Sequence, residues 1–255
     1  MTPRPTISSK DVMRCAAIFF LLVLASAQAQ VKPGAAKKGV SGGIAVARAF
    51  KSAWYYNWGP KGESEPGIEF IPMVKGKWHA NDATLAAIKA SGAKTLLTFN
   101  EPERTDQGNV TVEEALDLWP KLEATGLRLS SPANSSDAKG MAWLEEFMEG
   151  AKKRKLRVDF IAVHWYRSAS EVEFAHWLEG LHRKWGRPIW VTEFSAYFTK
   201  GDRARFAEMS FKMLERTRAV ERYAYMDMAP GTPGALWQDA ARTEPSKLGV
   251  KLRDR

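Results

Sequence analysis

The chain has a single cysteine, Cys15, among 255 residues. That excludes an internal disulfide framework and any cysteine-based zinc site. Histidine is scarce too: His79, His164, His176 and His182 show no HExxH or comparable ligand spacing, so no metal is implied. No Gly-rich phosphate turn follows an apolar run, and neither a P-loop nor a GxSxG elbow occurs. The sequence therefore implies no cofactor. Glycine (19) and proline (13) are neither abundant nor periodic, which excludes a collagen-like chain. Acidic residues are outnumbered 29 to 38 by Lys and Arg, for a formal charge of +9. The densest basic run, Lys152-Lys153-Arg154-Lys155, falls at the end of a helical pattern, where cations complement the helix dipole. No aromatic residues interleave with it, so no nucleic-acid partner is expected.

Long apolar stretches are missing except one. Arg4, Lys10 and Arg14 precede the run Cys15-Ala-Ala-Ile-Phe-Phe-Leu-Leu-Val-Leu-Ala25, followed by Ala27-Gln28-Ala29. The run is shorter than the roughly twenty residues that span a bilayer. A basic start, a short apolar core and a small-x-small site read as a secretory signal peptide over residues 1–29. Its removal leaves a charge of +7 and no cysteine. Residues 30–38 are small, basic and aperiodic, and read as a tether. The expectation is a secreted or periplasmic protein with no membrane partner after signal removal.

What the chain has in plenty is aromatic side chains: ten Trp, twelve Phe and six Tyr. From residue 39 to the C-terminus no linker breaks the pattern, so residues 39–255 read as one domain. Short apolar runs alternate there with amphipathic ones. The runs are Trp54-Tyr55-Tyr56, Phe70-Ile71-Pro72-Met73, Thr95 to Phe99, Leu129-Ser130-Ser131, Phe160 to Val163, Ile189 to Thr192 and Tyr223-Ala224-Tyr225. Apolar on both faces, they suit strands of a parallel sheet covered on both sides. Thr111-x-x-Glu114 and Ser170-x-x-Glu173 fit capping boxes at helix starts. Phe174, Trp177, Leu178, Leu181 and Trp185 form one apolar helical stripe, and Phe206, Met209, Met213 and Leu214 another. With Lys38 to Ser41 as a first strand, eight strands predict a single (β/α)8 barrel, whose active sites lie at the C-terminal strand ends.

Two of those strands end in a carboxylate. The fourth closes as Phe99-Asn100-Glu101-Pro102 and the seventh as Val191-Thr192-Glu193-Phe194. Strands three apart face one another nearly across a barrel. Two carboxyls flanking a cleft are what glycosidic cleavage requires: one protonates the departing oxygen, the other attacks or guides water at the anomeric carbon. Asn57, Trp58, His164, Trp165 and Tyr166 also fall at strand ends and are expected to line the cleft, the aromatics stacking on sugar rings. Trp54 and Trp190 are assigned to the core.

Trp54-Tyr-Tyr-Asn-Trp-Gly59, Phe70-Ile-Pro-Met73, Phe99-Asn-Glu-Pro102, Ser131-Pro-Ala133, Asp159-Phe-Ile-Ala-Val-His-Trp-Tyr166 and Ile189-Trp-Val-Thr-Glu-Phe194 together resemble glycoside hydrolase family 128. The resemblance implies a retaining endo-β-1,3-glucanase on a (β/α)8 barrel, with a laminarin- or curdlan-type glucan as its partner. It makes Glu101 the acid/base, Glu193 the nucleophile and Asn100 a partner of the sugar 2-hydroxyl. An acid that holds its proton at neutral pH calls for a raised pKa at Glu101 relative to Glu193. Glu103, where the family usually has Asp, reads as a cap of the following loop. The family's Tyr-Ala-Trp-Phe in the eighth strand is here Tyr223-Ala224-Tyr225-Met226, which would alter one sugar subsite if the Trp is a platform. The alternative is a secreted, non-catalytic β-glucan-binding protein on a glycosidase barrel; retention of both glutamates argues against it.

Overall fold

The computed structural model describes residues 37–255; the expected signal peptide and most of the tether lie outside the described residues. Strand β1 is Lys38–Ser41, so Lys38, placed at the end of the tether, already belongs to the fold. The Lys38 ammonium reaches the C-terminal helix, donating to the carbonyls of Leu252 (2.9 Å) and Arg255 (3.0 Å). The remaining strands are β2 (Trp54–Tyr56), β3 (Glu69–Phe70), β4 (Met73–Val74), β5 (Thr95–Asn100), β6 (Arg128–Ala133), β7 (Ile161–Trp165), β8 (Ile189–Phe194) and β9 (Val220–Tyr225). Among the described residues seven α-helices accompany them: α1 (Ile44–Ala49), α2 (Asp82–Ala90), α3 (Val112–Glu123), α4 (Ala138–Lys153), α5 (Glu171–Trp185), α6 (Arg203–Arg216) and α7 (Lys247–Arg253).

All strand pairs are parallel. The regular ladders form a six-stranded sheet, β3-β2-β1-β9-β8-β7, and a three-stranded one, β4-β5-β6. β3 and β4 are one strand position of the predicted eight, interrupted because Pro72 has no amide to donate. Its carbonyl still accepts from Leu97, while Ile71 donates back to Tyr55, so the interrupted strand touches both sheets. On the far side, bridges at Ser130–Phe160 and Asn134–Val163 carry the hydrogen bonding from β6 to β7. The eight strand positions thus run round in (β/α)8 order.

Two apolar layers follow from the strand alternation. Trp54, Tyr56, Ile71, Met73, Leu97, Phe160, Trp190 and Ala224 fill the barrel interior. Trp54 and Trp190 sit in that core as assigned. Gly39 faces them from β1, where any Cβ would overlap the Trp54 indole. The alternate residues, among them Val40, Tyr55, Leu96, Phe99, Val163, Trp165, Val191 and Phe194, pack against the helices. Thr111 and Glu114 form the full reciprocal capping box of α3. At α5 only half of it forms: Ser170 accepts from the Glu173 amide, while the Glu173 carboxylate takes the Ser168 hydroxyl instead. On α6 the buried face is Phe206, Ala207, Ser210, Phe211 and Leu214; Met209 lies beside it, half-buried.

Candidate active site

Local irregularities at the strand ends aim the functional side chains. Between β7 and β8 the register shifts by one residue after the Val163–Val191 pair, so that His164 stands opposite Glu193. This bulge sets the two side chains side by side at the barrel mouth. β5 ends at Asn100, and Glu101 follows with φ +41°, in the left-handed region where a residue with a Cβ is strained. Its amide donates to the Ala133 carbonyl (2.8 Å), which fixes the turn. Trp58, with φ +58°, is held in the same region after β2.

Glu193 is buried, and three donors surround it. The Tyr56 hydroxyl (3.0 Å) and Trp58 Nε1 (2.8 Å) donate to Oε1, and the Tyr166 hydroxyl (2.7 Å) donates to Oε2. Burial, and then the charge of Glu193, push both tyrosine hydroxyls well above their ordinary range, so they stay protonated donors. Glu101 is held by a different set. His164 Nδ1 lies 3.0 Å from its Oε1, and Arg104 Nε lies 3.2 Å from its Oε2. Arg104 is itself anchored on Asp137 (3.0 Å). The His164 ring is fully buried between the two carboxylates, its Nε2 3.5 Å from Glu193 Oε1 and without a hydrogen-bond partner among the described residues.

The charges settle where the proton sits. Burial alone would lower the His164 pKa, but Glu193, Glu101 and Glu103 outweigh it and hold the value above the ordinary histidine range. Burial would raise Glu101, yet the His164 contact and the Arg104 charge prevail and hold it below the ordinary carboxylate range. The expectation of a raised Glu101 is therefore corrected: two cationic neighbours favour its ionised form. Both shifts favour the pair of a protonated His164 beside an ionised Glu101.

The other sequence-predicted positions divide. Tyr166 lines the cleft, as expected, and also binds Glu193. Trp58 donates its indole N–H to Glu193. Asn100 is buried beside Glu101, its Oδ1 without a partner among the described residues. Trp165 is a correction. It follows inward-facing His164 in the strand, so alternation turns it outward; it stacks on Phe174 (4.7 Å) and lies only 1% exposed. Asn57 is a second correction. Its amide closes a turn, donating to the Lys61 carbonyl and accepting from the Gly59 amide, and does not reach the carboxylates. Glu103 caps a loop, but the one after β6, accepting from Asn134 Nδ2 and the Ser135 amide (both 2.9 Å). Tyr225 is fully buried, its hydroxyl on the Gly234 carbonyl, so the eighth-strand departure at that position changes the core; Met226 is the one that faces the cleft. Tyr56 and Arg104 were not singled out in the sequence, although Tyr56 stands two residues from Trp54 on the same strand face.

The cleft above the carboxylates has a volume of about 440 Å³ and is lined by Glu101, Glu193, Arg104, Asp137, Tyr166 and Phe198, among others. Two carboxylates, Glu193 buried and Glu101 partly so, flanking one imidazole at the C-terminal ends of strands three positions apart, define a glycosidase-type barrel mouth. Comparison with known proteins agrees. Residues 36–244 match the family model described as glycosyl hydrolase catalytic core. A crystal structure of a subgroup I family 128 endo-β-1,3-glucanase from Amycolatopsis mediterranei, in complex with laminaritriose, is 36% identical. That alignment covers 87% of this chain and 99% of the other, with a TM-score of 0.76. A subgroup III curdlan-specific exo-β-1,3-glucanase from Blastomyces gilchristii is 30% identical over 88% of this chain and all of its own, at a TM-score of 0.72. A curated relative, Alkali-sensitive linkage protein 1 of Schizosaccharomyces pombe, is 30% identical over 70% of this chain; the chain spans about a third (34%) of that protein's length. The protein is a glycoside hydrolase, and it belongs to glycoside hydrolase family 128.

Proposed function

We propose that the protein is a retaining β-1,3-glucanase, endo-acting, with Glu193 as nucleophile and Glu101 as acid/base. The observation that carries this reading is the linked trio Glu101, His164 and Glu193 at the floor of the cleft. The substrate class is supported by the Amycolatopsis enzyme, whose complexes with laminari-oligosaccharides include forms with a glutamate replaced. The greater identity to that endo-acting enzyme than to the exo-acting one favours internal cleavage. Signal-peptide features over residues 1–29 support export, and with it access to a polysaccharide.

Each residue has a part in the chemistry. Glu193, oriented by three donors, attacks the anomeric carbon and forms a glycosyl ester as the bond to the departing oxygen breaks. That oxygen takes a proton from Glu101. The proton reaches Glu101 Oε1 from His164 Nδ1, 3.0 Å away, once a bound sugar excludes water and burial favours the neutral carboxyl. With Glu193 esterified, its charge no longer acts on its neighbours, and ionised Glu101 accepts a proton from the water that releases the sugar. Asn100 offers its unpartnered carbonyl oxygen to a hydroxyl of the reacting ring. Incubation with laminarin, curdlan, mixed-linkage glucan and cellulose, with products resolved by chromatography, tests the assignment. Release of β-1,3-linked oligosaccharides of several lengths is expected; glucose alone would mark exo action, and action on cellulose without any on laminarin or curdlan would overturn the substrate class.

A further inference from the structure

The helices end at the face of the barrel opposite the mouth, where the strands begin. Between the C-terminal ends of α5 and α6 lies a groove of about 610 Å³. Ala175, Met213 and Ala219 give it apolar surface, and three arginines, Arg183, Arg216 and Arg218, face it against one carboxylate, Glu179. All three arginines are exposed. A cation at a helix C-terminus ordinarily complements the dipole and the free carbonyls. At α6 that task is already taken: the Lys37 ammonium donates to the Glu215 and Thr217 carbonyls (both 3.1 Å), and Thr217 donates its amide and hydroxyl to the Met213 carbonyl. Arg183 has only Glu179, at 3.9 Å. Arg216 and Arg218 have no carboxylate or carbonyl partner among the described residues, and the adjacent Glu215 is held by the Tyr223 hydroxyl (2.7 Å). The end of neighbouring α4 adds exposed Lys152, Lys153 and Lys155 to the same face. The mouth has the reverse balance, with Glu101, Asp106, Asp137 and Glu193 lining the cleft against Arg104 and Arg167. A molecule charged in this way is oriented by a negative surface, its cationic back towards it and its mouth away.

The entry of the chain points the same way. Lys37 is the first described residue, its carbonyl accepts from the Tyr223 amide, and its ammonium lies on Thr217, which lines the groove. The residues before it carry the export-signal features, so the segment that engages a bilayer during export joins the barrel beside this groove. We propose that the face formed by the α5–α6 groove and the end of α4 docks the protein on an anionic lipid bilayer, with the arginines holding lipid phosphates. Guanidinium groups suit that role because they pair with phosphate oxygens through two N–H donors at once. No helix of the described residues is long and apolar enough to cross a membrane, so the contact is peripheral. It revises the expectation of no membrane partner after signal removal. The inference rests on the export reading, which brings the chain to a bilayer, and not on the glucanase reading.

The test is co-sedimentation of the exported protein with vesicles of phosphatidylglycerol and phosphatidylcholine in equal parts, against vesicles of phosphatidylcholine alone. All forms compared share residues 1–36, so a difference between them reports the barrel. The wild type should bind the anionic vesicles more tightly, and added salt should weaken that binding steeply. Arg216→Glu with Arg218→Glu should weaken it at least about tenfold. Lys61→Glu with Lys139→Glu removes the same charge from exposed positions at the mouth end, outside the cleft lining, and should bind as the wild type does. Soluble laminarin hydrolysis and melting temperature should be alike in all three forms. Equal losses in the two double variants would show attraction by net charge alone and overturn the docking face. No preference of the wild type for anionic vesicles would overturn it too, and binding to alginate without binding to vesicles would replace the bilayer with an acidic polysaccharide. Absence of laminarin hydrolysis in the wild type would strike the glucanase reading and leave this one standing.

Discussion

The two ends of the barrel interior use charge in opposite ways. At the N-terminal ends of the strands, Arg222 lies over Trp190 (4.6 Å) and Trp54 (5.7 Å), and Arg128 lies over Phe160 (4.8 Å). Each cation has a carboxylate of its own: Glu69 for Arg222 at 2.7 Å, and Glu221 for Arg128 through two nitrogens. Charge there closes the floor, and the aromatic faces beneath it add cation–π attraction. At the mouth the carboxylates outnumber the cations. Glu193 is held by neutral O–H and N–H donors, and Glu101 shares an imidazole proton. The buried Asn100 Oδ1 and His164 Nε2 keep unfilled hydrogen-bonding capacity. Unpartnered buried atoms occur at both ends, since Arg222 Nη1 and Trp190 Nε1 also lack partners among the described residues at the floor. What separates the two ends is charge balance, each floor cation being matched to a carboxylate while the mouth is left with carboxylate in excess.

The sharpest break in that comparison should come from the floor. Trp190→Ala empties the centre of the interior cluster and is expected to destabilise the fold by roughly 3–5 kcal/mol, read from chemical denaturation. A loss under about 1 kcal/mol would mean that the interior collapses around the gap, and the floor would not be the rigid member of the pair. At the mouth, Tyr166→Phe should leave the melting temperature nearly unchanged but remove a 2.7 Å hydrogen bond to the Glu193 carboxyl group. Hydrogen bonds to charged groups contribute about 1.5–3 kcal/mol, so a fall in kcat/KM of roughly ten- to a hundredfold is expected. If instead stability falls and kcat/KM does not, Tyr166 belongs to the scaffold.

The smallest effect concerns the shared proton. NMR titration of His164 should give a pKa above the ordinary 6.5, because Glu193, Glu101 and Glu103 outweigh its burial. The sign then follows from linkage. The histidine contribution is complete below 6.5 and lost as pH rises through the raised value. The Glu101 contribution is present above its ordinary 4.5 and lost as pH falls through its lowered value. Relative to His164→Gln, the wild type should therefore gain most stability between about pH 4.5 and 6.5. A His164 value below 6.5 would show that burial prevails and that the proton does not rest there.

The mouth was more legible in the sequence than its finer geometry. Glu101 and Glu193 stand out because a carboxylate directly after a buried apolar run has no solvating reason to be there. The eight strand positions followed from run length and spacing. The inside and outside of each strand did not, because strands buried on both faces carry no period-2 signal. Trp165 was therefore placed in the cleft when alternation sends it to the helix layer, and Tyr56 was passed over as part of an aromatic triplet. The bulge that pairs His164 with Glu193 and the left-handed turn at Glu101 have no residue-level signature, so neither the His164 bridge nor the lowered Glu101 pKa could be anticipated. Asn57 reads equally well as a sugar ligand or a turn residue, and the backbone geometry decided for the turn. Phe198 sits in a loop, where no periodicity separates exposed aromatics from packed ones.

The division of labour between the two carboxylates is the centre of the account, and azide rescue tests it most directly. Glu101→Ala should lose cleavage of natural glucan but keep the first step on aryl glycosides, whose leaving group needs no proton. Azide should then restore turnover and give a glycosyl azide of retained configuration. Glu193→Gly should lose activity on every substrate, and azide entering the vacated space should give the inverted product. Proton NMR of the anomeric signals distinguishes the two azides. The account predicts retention from the Glu101 variant and inversion from the Glu193 variant; the opposite pairing would exchange their roles, and near-normal laminarin hydrolysis by either variant would contradict its place in the mechanism.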